Sequence, residues 1–460
     1  YCYAFLQRTN SFRKKKSCFG ICILLLHPYF LFFNLRRTLL TSIEMSAFTK
    51  YLTILAWAML LCSFGHGQAL ISGAQILAAA RLEPSYTIQS EHLAYLDAHR
   101  PNLPYLDQVS LRTQTDRFDP DRQEYAIRFS MNSLSEVSKE NALQDISAAS
   151  KAEVQRLYLH ESLLRRYQGL ASYYYLVQRL SVEKQLSDVY VGRANVLKKK
   201  GLLDLDVDVD ELIKNDFERD KLDLDIAEDQ SMLTYVVKAL QTASPSIPGD
   251  WVPDTTGFIN IPLISLQLDQ WNDSVSNHPQ LAIKQAKSSV IDAEYAVERA
   301  KSNQILDFVQ VRYANVPYVQ DLNRELSVGL SLYLPFNGAS HLKMEELLVE
   351  KNEADQNMLL YQNDMTDRIQ QARLKIEVLL RQYEVAQKQL EASGDRFILD
   401  PGNLPVEEGA VIMLSARELQ LKRQLNLLTL EDQIFEQYIR LLDLTGMLSA
   451  SPMMNYLSRE

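Results

Sequence analysis

The sequence predicts an α+β fold built from a duplicated unit, in which two β-strands are followed by a long helical hairpin. Two proline-free stretches, 134–200 and 338–393, are far longer than an average globular helix. Four stretches of about ten residues alternate large apolar side chains with small or polar ones, as strands with two different faces do. These features recur about 200 residues apart, which indicates a duplication of one architectural unit.

The repeat can be followed residue by residue. Val109-Ser110-Leu111-Arg112 matches Val309-Gln310-Val311-Arg312 at an offset of 200 residues. In the second strand of each unit the offset is 201 residues, and it pairs Ile127, Phe129 and Met131 with Val328, Leu330 and Leu332. Each pair of strands is followed by a long helix, a turn and a returning helix.

The N-terminal 68 residues are predicted to direct export and to form no part of the folded protein. Residues 1–44 combine a basic cluster with an apolar run, and we interpret them as upstream translation rather than as a membrane anchor, because a better export signal follows. Residues 45–68 have the basic start at Lys50, the apolar segment and the small-x-small cleavage site of a signal peptide. Lipid attachment at Cys62 is disfavoured, because the preceding residue is Leu61.

Composition excludes two further classes of protein. All four cysteines precede the predicted cleavage site, so disulfides do not stabilise the exported chain. The first 68 residues hold eight Lys/Arg and one Asp/Glu, which leaves 40 basic and 57 acidic residues and a net charge of −17. We therefore expect no nucleic acid as a partner, because nucleic-acid binding needs a basic surface.

Proline, glycine and periodicity divide the exported chain into elements and domains. The first repeat, 69–243, is predicted to contain short helices at 70–82 and 88–99, strands at 105–115 and 124–131, the first long helix at 134–200 and a returning helix at 211–242. An extended connector, 244–276, carries four prolines and two tryptophans. The second repeat, 277–446, is predicted to contain a helix at 277–301, strands at 307–313 and 325–334, the second long helix at 338–393 and a last helix at 410–444, before a tail at 447–460.

The second long helix has the clearest coiled-coil pattern. Apolar residues recur at alternating steps of three and four, with Gln362 filling one position. The predicted seam is Met358, Met365, Ile369, Ala372, Ile376, Leu379, Tyr383, Ala386 and Leu390.

The strand length suggests a membrane barrel. A tilted transmembrane strand needs about 9–11 residues, and a sheet in lipid must close so that its edges leave no unpaired backbone groups. The four strands of one chain are too few for a barrel with a useful bore, whereas three chains together supply twelve strands. Each chain also supplies four helices, which could form a helical tube beneath the barrel. We predict that the lipid-facing residues are Tyr125, Ile127, Phe129, Met131, Leu326, Val328, Leu330 and Leu332. The residues predicted to face the lumen are Arg128, Ser130, Ser327, Gly329 and Ser331. The alternative is a soluble sheet with one buried face.

Three segments resemble the TolC-like outer-membrane efflux proteins. They are Asn277-His278-Pro279-Gln280-Leu281, then the run from Leu330 to Gly338, and then Gly409 entering a helix that ends in Leu441-Leu442-Asp443-Leu444-Thr445-Gly446. The first repeat departs from the pattern, because Glu83-Pro84 stands where Asn-Pro is expected and Met131-Asn132-Ser133 lacks the Pro and Gly.

The resemblance implies a homotrimer with a 12-stranded β-barrel in the outer membrane, continuous with a periplasmic α-helical barrel. It implies an exit duct of a tripartite efflux pump or a type I secretion system, with a periplasmic adaptor and an inner-membrane transporter as partners. It implies no chemistry and no cofactor. The alternative function is an exported periplasmic coiled-coil scaffold or adaptor without a channel.

The resemblance also places the periplasmic entrance at the tips of the hairpins, 201–210 and 394–409. Glycines mark these tips at Gly201, Gly402 and Gly409. Acidic residues alternate with Leu and Val at Asp204, Asp206, Asp208 and Asp210. In a trimer they would form a cation-selective ring; the alternatives are a solvated loop or a calcium loop, and the latter lacks its turn glycine.

The histidines predict neither catalysis nor metal binding. The exported chain has His92, His99, His160, His278 and His341, which lie far apart and outside any metal-ligand spacing. Phosphate-loop and nucleophile-elbow motifs are absent from the sequence. We therefore expect no catalytic, cofactor or metal site.

Overall fold

The long helices and the four predicted strands form as expected. The structure, a computed structural model, describes residues 69–100, 102–115, 123–202, 209–270, 277–314, 326–332, 338–396 and 406–458. The helices are α1 (Gly73–Ala78), α2 (Pro84–Ala98), α3 (Leu134–Leu202), α4 (Val209–Ala243), α5 (Ile261–Gln270), α6 (Pro279–Ser302), α7 (Gly338–Arg396) and α8 (Val406–Leu444). The strands are β1 (Ala69–Ser72), β2 (Leu106–Thr115), β3 (Gln123–Met131), β4 (Trp251–Asp254), β5 (Leu306–Ala314) and β6 (Leu326–Leu332).

One prediction for the N-terminal segment and one for the connector need correction. Residues 70–82 are not one helix, because β1 pairs in parallel with β4 before α1 and a 3₁₀ turn follow. The connector is not extended throughout, since it contains β4 and α5. Its Trp251 is buried, and Phe258 stacks on Tyr174 of α3 with ring centroids 4.7 Å apart. Long-range apolar burial therefore decided the conformation of segments whose local pattern was weak.

The four long strands form one antiparallel sheet in the order β2-β3-β5-β6. The two repeats meet at its centre, where β3 pairs with β5. The register slips by one residue at Asp107 in β2 and again at Asp307 in β5. The same bulge at the same offset is direct structural support for the duplication, because a bulge re-aims a strand at a defined place.

The helices pack at two levels along the two longest of them. Toward the sheet, α2 packs on α3, and α6 packs on both α3 and α7. Beyond it, α4 and α8 pack on α3, and α8 also packs on α7. The outer helices of the second level are α4 and α7. Each repeat therefore combines one continuous long helix with two shorter ones.

The predicted seam of α7 is confirmed by burial. Its central residues Met365, Ile369, Ala372, Ile376 and Leu379 are all buried, while Gln362 is exposed. A period alternating between three and four residues keeps one stripe of a helix against its partner. Among the described residues, every helix is either too short or too polar to cross a membrane.

Candidate functional site

The four-stranded sheet presents one apolar face, and its side chains are aligned in rows across all four strands. Directly opposed residues of an antiparallel pair lie on the same face. The rows are Val109, Phe129, Val309, Leu330; Leu111, Ile127, Val311, Val328; and Thr113, Tyr125, Tyr313, Leu326. Met131 opposes Leu106, and Leu332 opposes Leu306, beside the two bulges.

This apolar face is exposed in the described part of the chain. Val328 and Leu330 are each 68% exposed, and Leu111 of β2 is equally so. The eight residues predicted to face lipid thus share one face of the sheet, and their contact with lipid remains a prediction. A soluble sheet with a buried apolar face is disfavoured, because a large exposed apolar patch marks an interaction or membrane surface.

The opposite face is organised by polar contacts. The guanidinium carbon of Arg128 lies 3.8 Å from the ring centroid of Phe308, within cation–π range. Arg312 of β5 forms an ion pair with Glu124 of β3. Ser331 donates a hydrogen bond of 3.1 Å to Asp307 at the second bulge. The five residues predicted to face the lumen alternate along their strands with the apolar rows and so lie on the opposite face; they are Arg128, Ser130, Ser327, Gly329 and Ser331.

At the other end of the long helices, only part of the predicted entrance lies within the described residues. Asp210 is exposed in the first turn of α4. Gly201 lies in the last turn of α3. Gly409 lies inside α8, which begins at Val406, so the expectation that Gly409 starts this helix is wrong by one turn. Asp204, Asp206, Asp208 and Gly402 lie outside the described residues.

A buried ionic junction joins the shorter helices of the first repeat. Glu83 precedes Pro84 at the start of α2, and its carboxylate binds Arg166, Arg165 and Ser162 of α3. The Arg166 side chain is fully buried, and it also donates to the carbonyl of Ala243 at the end of α4. Arg166 thus joins the beginning of α2 to the end of α4. Burial opposes the ionised form of Glu83, but its bonds to Ser162 and Arg166 hold its pKa below the ordinary value.

The matching junction of the second repeat joins two of the segments that carried the family resemblance. Gly446, just after α8, has φ = 71°, and a Cβ there would lie 2.6 Å from both the Asn277 carbonyl oxygen and the His278 Cα. Only glycine allows this approach of one backbone to another. Arg156 of α3 donates to the same Asn277 carbonyl. The resemblance motifs are therefore two sides of one contact.

Histidines gather at this second junction, which contradicts the expectation that all of them lie apart. The ring centroids of His160 and His278 are 5.2 Å apart. His160 Nε2 lies 2.8 Å from Asp443 Oδ1. His278 Nδ1 accepts a 3.1 Å hydrogen bond from the Gln280 N–H and caps α6. Burial lowers the pKa of His278 to about 4, and His160 acts in the same direction.

Neither junction was predicted from the sequence, although the sequence carries one signal that points to them. Glu83 and His278 each stand directly before the proline that begins the corresponding helix of the two repeats. Aligning the repeats on Pro84 and Pro279 would have singled out these two positions. The partners Arg166 and Gly446 come from distant parts of the chain, and nothing local identifies them.

Comparison with solved structures identifies the architecture. CusC superposes with a TM-score of 0.61 and 13% sequence identity, over 82% of this chain and 93% of CusC. The outer-membrane protein VceC from Vibrio cholerae gives 0.53 and 12%, over 81% and 96% of the two chains. The outer-membrane channel MtrE of Neisseria gonorrhoeae, in its open state, gives 0.52 and 12%, over 81% and 88%.

No protein-family model matches the sequence, and no curated protein matches it significantly. Structural similarity at this level of identity concerns the fold. The TolC-like resemblance predicted from the strand and helix-end motifs is confirmed at that level, along most of the chain. The chain thus has the fold shared by CusC, the outer-membrane protein VceC and the outer-membrane channel MtrE.

Proposed function

We propose that this protein is an outer-membrane channel of a Gram-negative bacterium, with a long periplasmic part. It would act as the passive exit duct of a tripartite efflux pump or of a type I secretion system. The observation that carries the proposal is the exposed apolar face of the sheet, on which Val328 and Leu330 stand in rows with residues of the other three strands. Such a surface is stable against hydrocarbon and unfavourable against water.

The edges of the sheet favour assembly of three copies. Strands β2 and β6 each have a neighbour on one side only within the described residues. Pairing β6 of one copy with β2 of the next satisfies both edges, and three copies close a barrel of twelve strands.

The helical layer has open edges on the same two sides. Helix α4 exposes Phe217 and Leu224, and helix α7 exposes Leu360 and Leu374. Because α4 and α7 are the outer helices of one copy, the same head-to-tail assembly would bring α4 of one copy against α7 of the next. Closure of the barrel and closure of the helical tube are therefore compatible.

The partners follow from the same proposal. An exit duct has no energy source of its own, so an inner-membrane transporter would drive transport and a periplasmic adaptor would join the two at the hairpin tips. The duct itself performs no chemistry. We expect cargo selection to reside mainly in these partners.

Fractionation and conductance test the proposal. The full chain should be found in outer-membrane fractions, require detergent for release, and sediment as a trimer. Reconstituted into planar lipid bilayers, it should give discrete conductance steps. Release without detergent, together with a lack of conductance, would instead support the periplasmic scaffold or adaptor.

The acidic ring at the entrance needs its own test. The change is the simultaneous Asp→Asn substitution of Asp204, Asp206, Asp208 and Asp210. We expect reduced preference for cations in single-channel recordings, because removing carboxylates lowers the negative potential that concentrates cations at a pore. An unchanged preference would exclude the ring and leave a solvated loop.

A further inference from the structure

The junction of the second repeat brings together three side chains with the chemistry of metal ligands. His160 lies in the N-terminal half of α3, His278 immediately before α6, and Asp443 in the last turn of α8. One potential donor atom from each residue lies within 4.8 Å of the other two. His160 is 2% exposed and His278 is 7% exposed, so water reaches these rings poorly.

A second layer of contacts orients two of these groups. His160 Nδ1 lies 3.3 Å from the hydroxyl of Ser449, in the segment after Gly446. Without a metal ion, a proton on Nε2 lets His160 donate to Asp443. With an ion bound, the proton would be on Nδ1 and donate to Ser449, which leaves the Nε2 lone pair for the ion. Ligating histidines commonly have such a partner on the second nitrogen, which fixes the ring and its tautomer.

We propose that His160, His278 and Asp443 form a binding site for a divalent transition-metal ion of the zinc type. Imidazole nitrogen together with one carboxylate suits Zn²⁺, and three protein ligands leave the fourth position to water. The proposal is independent of channel function, because it rests on three side chains that meet within one chain.

Metal binding would exchange one contact for another at the start of α6. A neutral imidazole has a single lone pair, so His278 cannot accept the Gln280 N–H and bind a metal ion at once. The ion would therefore replace the cap of α6. In return it would link α3, the start of α6 and the end of α8 through one centre.

Neighbouring charge sets the expected strength of the site. Asp443 is the one carboxylate of the three ligands, and Arg156 binds the carbonyl of Asn277 beside His278. A guanidinium so close to the ion opposes binding, so we expect weaker affinity than in a dedicated structural zinc site.

The test measures zinc bound to the purified full chain, prepared without a polyhistidine tag. His278→Asn removes the imidazole but keeps a side chain that caps helices well. Asp443→Asn keeps an oxygen that accepts from His160 but removes the charge. His92→Asn is the matched control, because His92 is exposed and lies outside the cluster.

We expect one zinc ion per chain in the wild type and in His92→Asn, with binding at least about tenfold weaker in the other two variants. Thermal unfolding with and without zinc should show stabilisation only where the site is intact. Equal zinc affinity in all four proteins, or no zinc bound by the wild type, would overturn the proposal.

A measurement on the wild type alone covers the case in which a variant fails to fold. X-ray absorption of the zinc-loaded protein should show two imidazole ligands and oxygen in the remaining positions. A first shell with fewer than two imidazoles would show that zinc binds elsewhere and would equally overturn the proposal.

Discussion

Replacing Gly446 by alanine should destabilise the protein by two separable effects. The residue has φ = 71°, a left-handed conformation that costs an L-residue about 1–2 kcal/mol. The added Cβ would also lie 2.6 Å from the backbone of Asn277 and His278, and forcing atoms into a packed region costs about 1–3 kcal/mol more. The expected total is about 2–5 kcal/mol.

Gly249 provides a matched control that isolates the second effect. Its φ is 88°, but a Cβ there would meet no atom within 4 Å. Gly249→Ala should therefore lose only the conformational part, about 1–2 kcal/mol. Both variants can be compared with the wild type by scanning calorimetry of the purified full chain at matched scan rates.

The difference in stability between the two variants measures the cost of the close backbone approach at Gly446. We expect the Gly446→Ala transition to lie clearly below that of Gly249→Ala, because only the former separates the end of α8 from the start of α6. Equal transition temperatures would contradict this expectation, since they would mean that the close backbone approach is relieved at no energetic cost.

The remaining predictions concern the first junction and the sheet. Glu83→Gln should destabilise the protein by about 3–5 kcal/mol, because it leaves the buried Arg166 without its carboxylate. Arg165→Ala, at an exposed side chain, should cost at most about 1 kcal/mol. Equal losses of stability in calorimetry would contradict this difference between the two arginines. The pKa of Glu83 is lowered on folding, so its contribution to the free energy of unfolding is present above its unfolded-state pKa and is lost as pH falls through its folded-state pKa. The decrease of stability with acid should therefore be flatter below about pH 4 in Glu83→Gln than in the wild type. Parallel curves for the two proteins would exclude this role of Glu83. Leu330→Arg should cost about 2–4 kcal/mol of barrel stability in lipid and reduce the yield of assembled trimer. Ser331→Arg, on the opposite face of the sheet, should be tolerated. Equal trimer yields on gels would argue against a lipid-facing apolar surface.

Local patterns predicted the sheet well for a definite physical reason. Side chains alternate strictly along a strand, so the apolar residues at Ile127, Phe129, Val328 and Leu330 had to share a face whatever the surroundings. The two bulges were not predicted, although the identical Asp107 and Asp307 at an offset of 200 residues were a visible signal.

The connector was predicted less well because its conformation depends on distant partners. Phe258 is fixed by stacking on Tyr174, and β4 is fixed by pairing with β1, whose residues lie 182 positions earlier. Neither contact leaves a periodic trace in the sequence. Proline content alone suggested an extended chain, and tertiary packing replaced part of it with a strand and a helix.

The long helices and the two-faced strands could be predicted from the sequence, because each follows from a local period of about 3.5 or two residues. The duplicated unit could be predicted because the strands match at an offset of about 200 residues. Tertiary structure alone decided the two junctions. Arg166 joins Glu83 to the end of α4, and Gly446 brings Asn277 and His278 against the end of α8. Such contacts depend on where long helices place single residues relative to each other, and no local period encodes that placement.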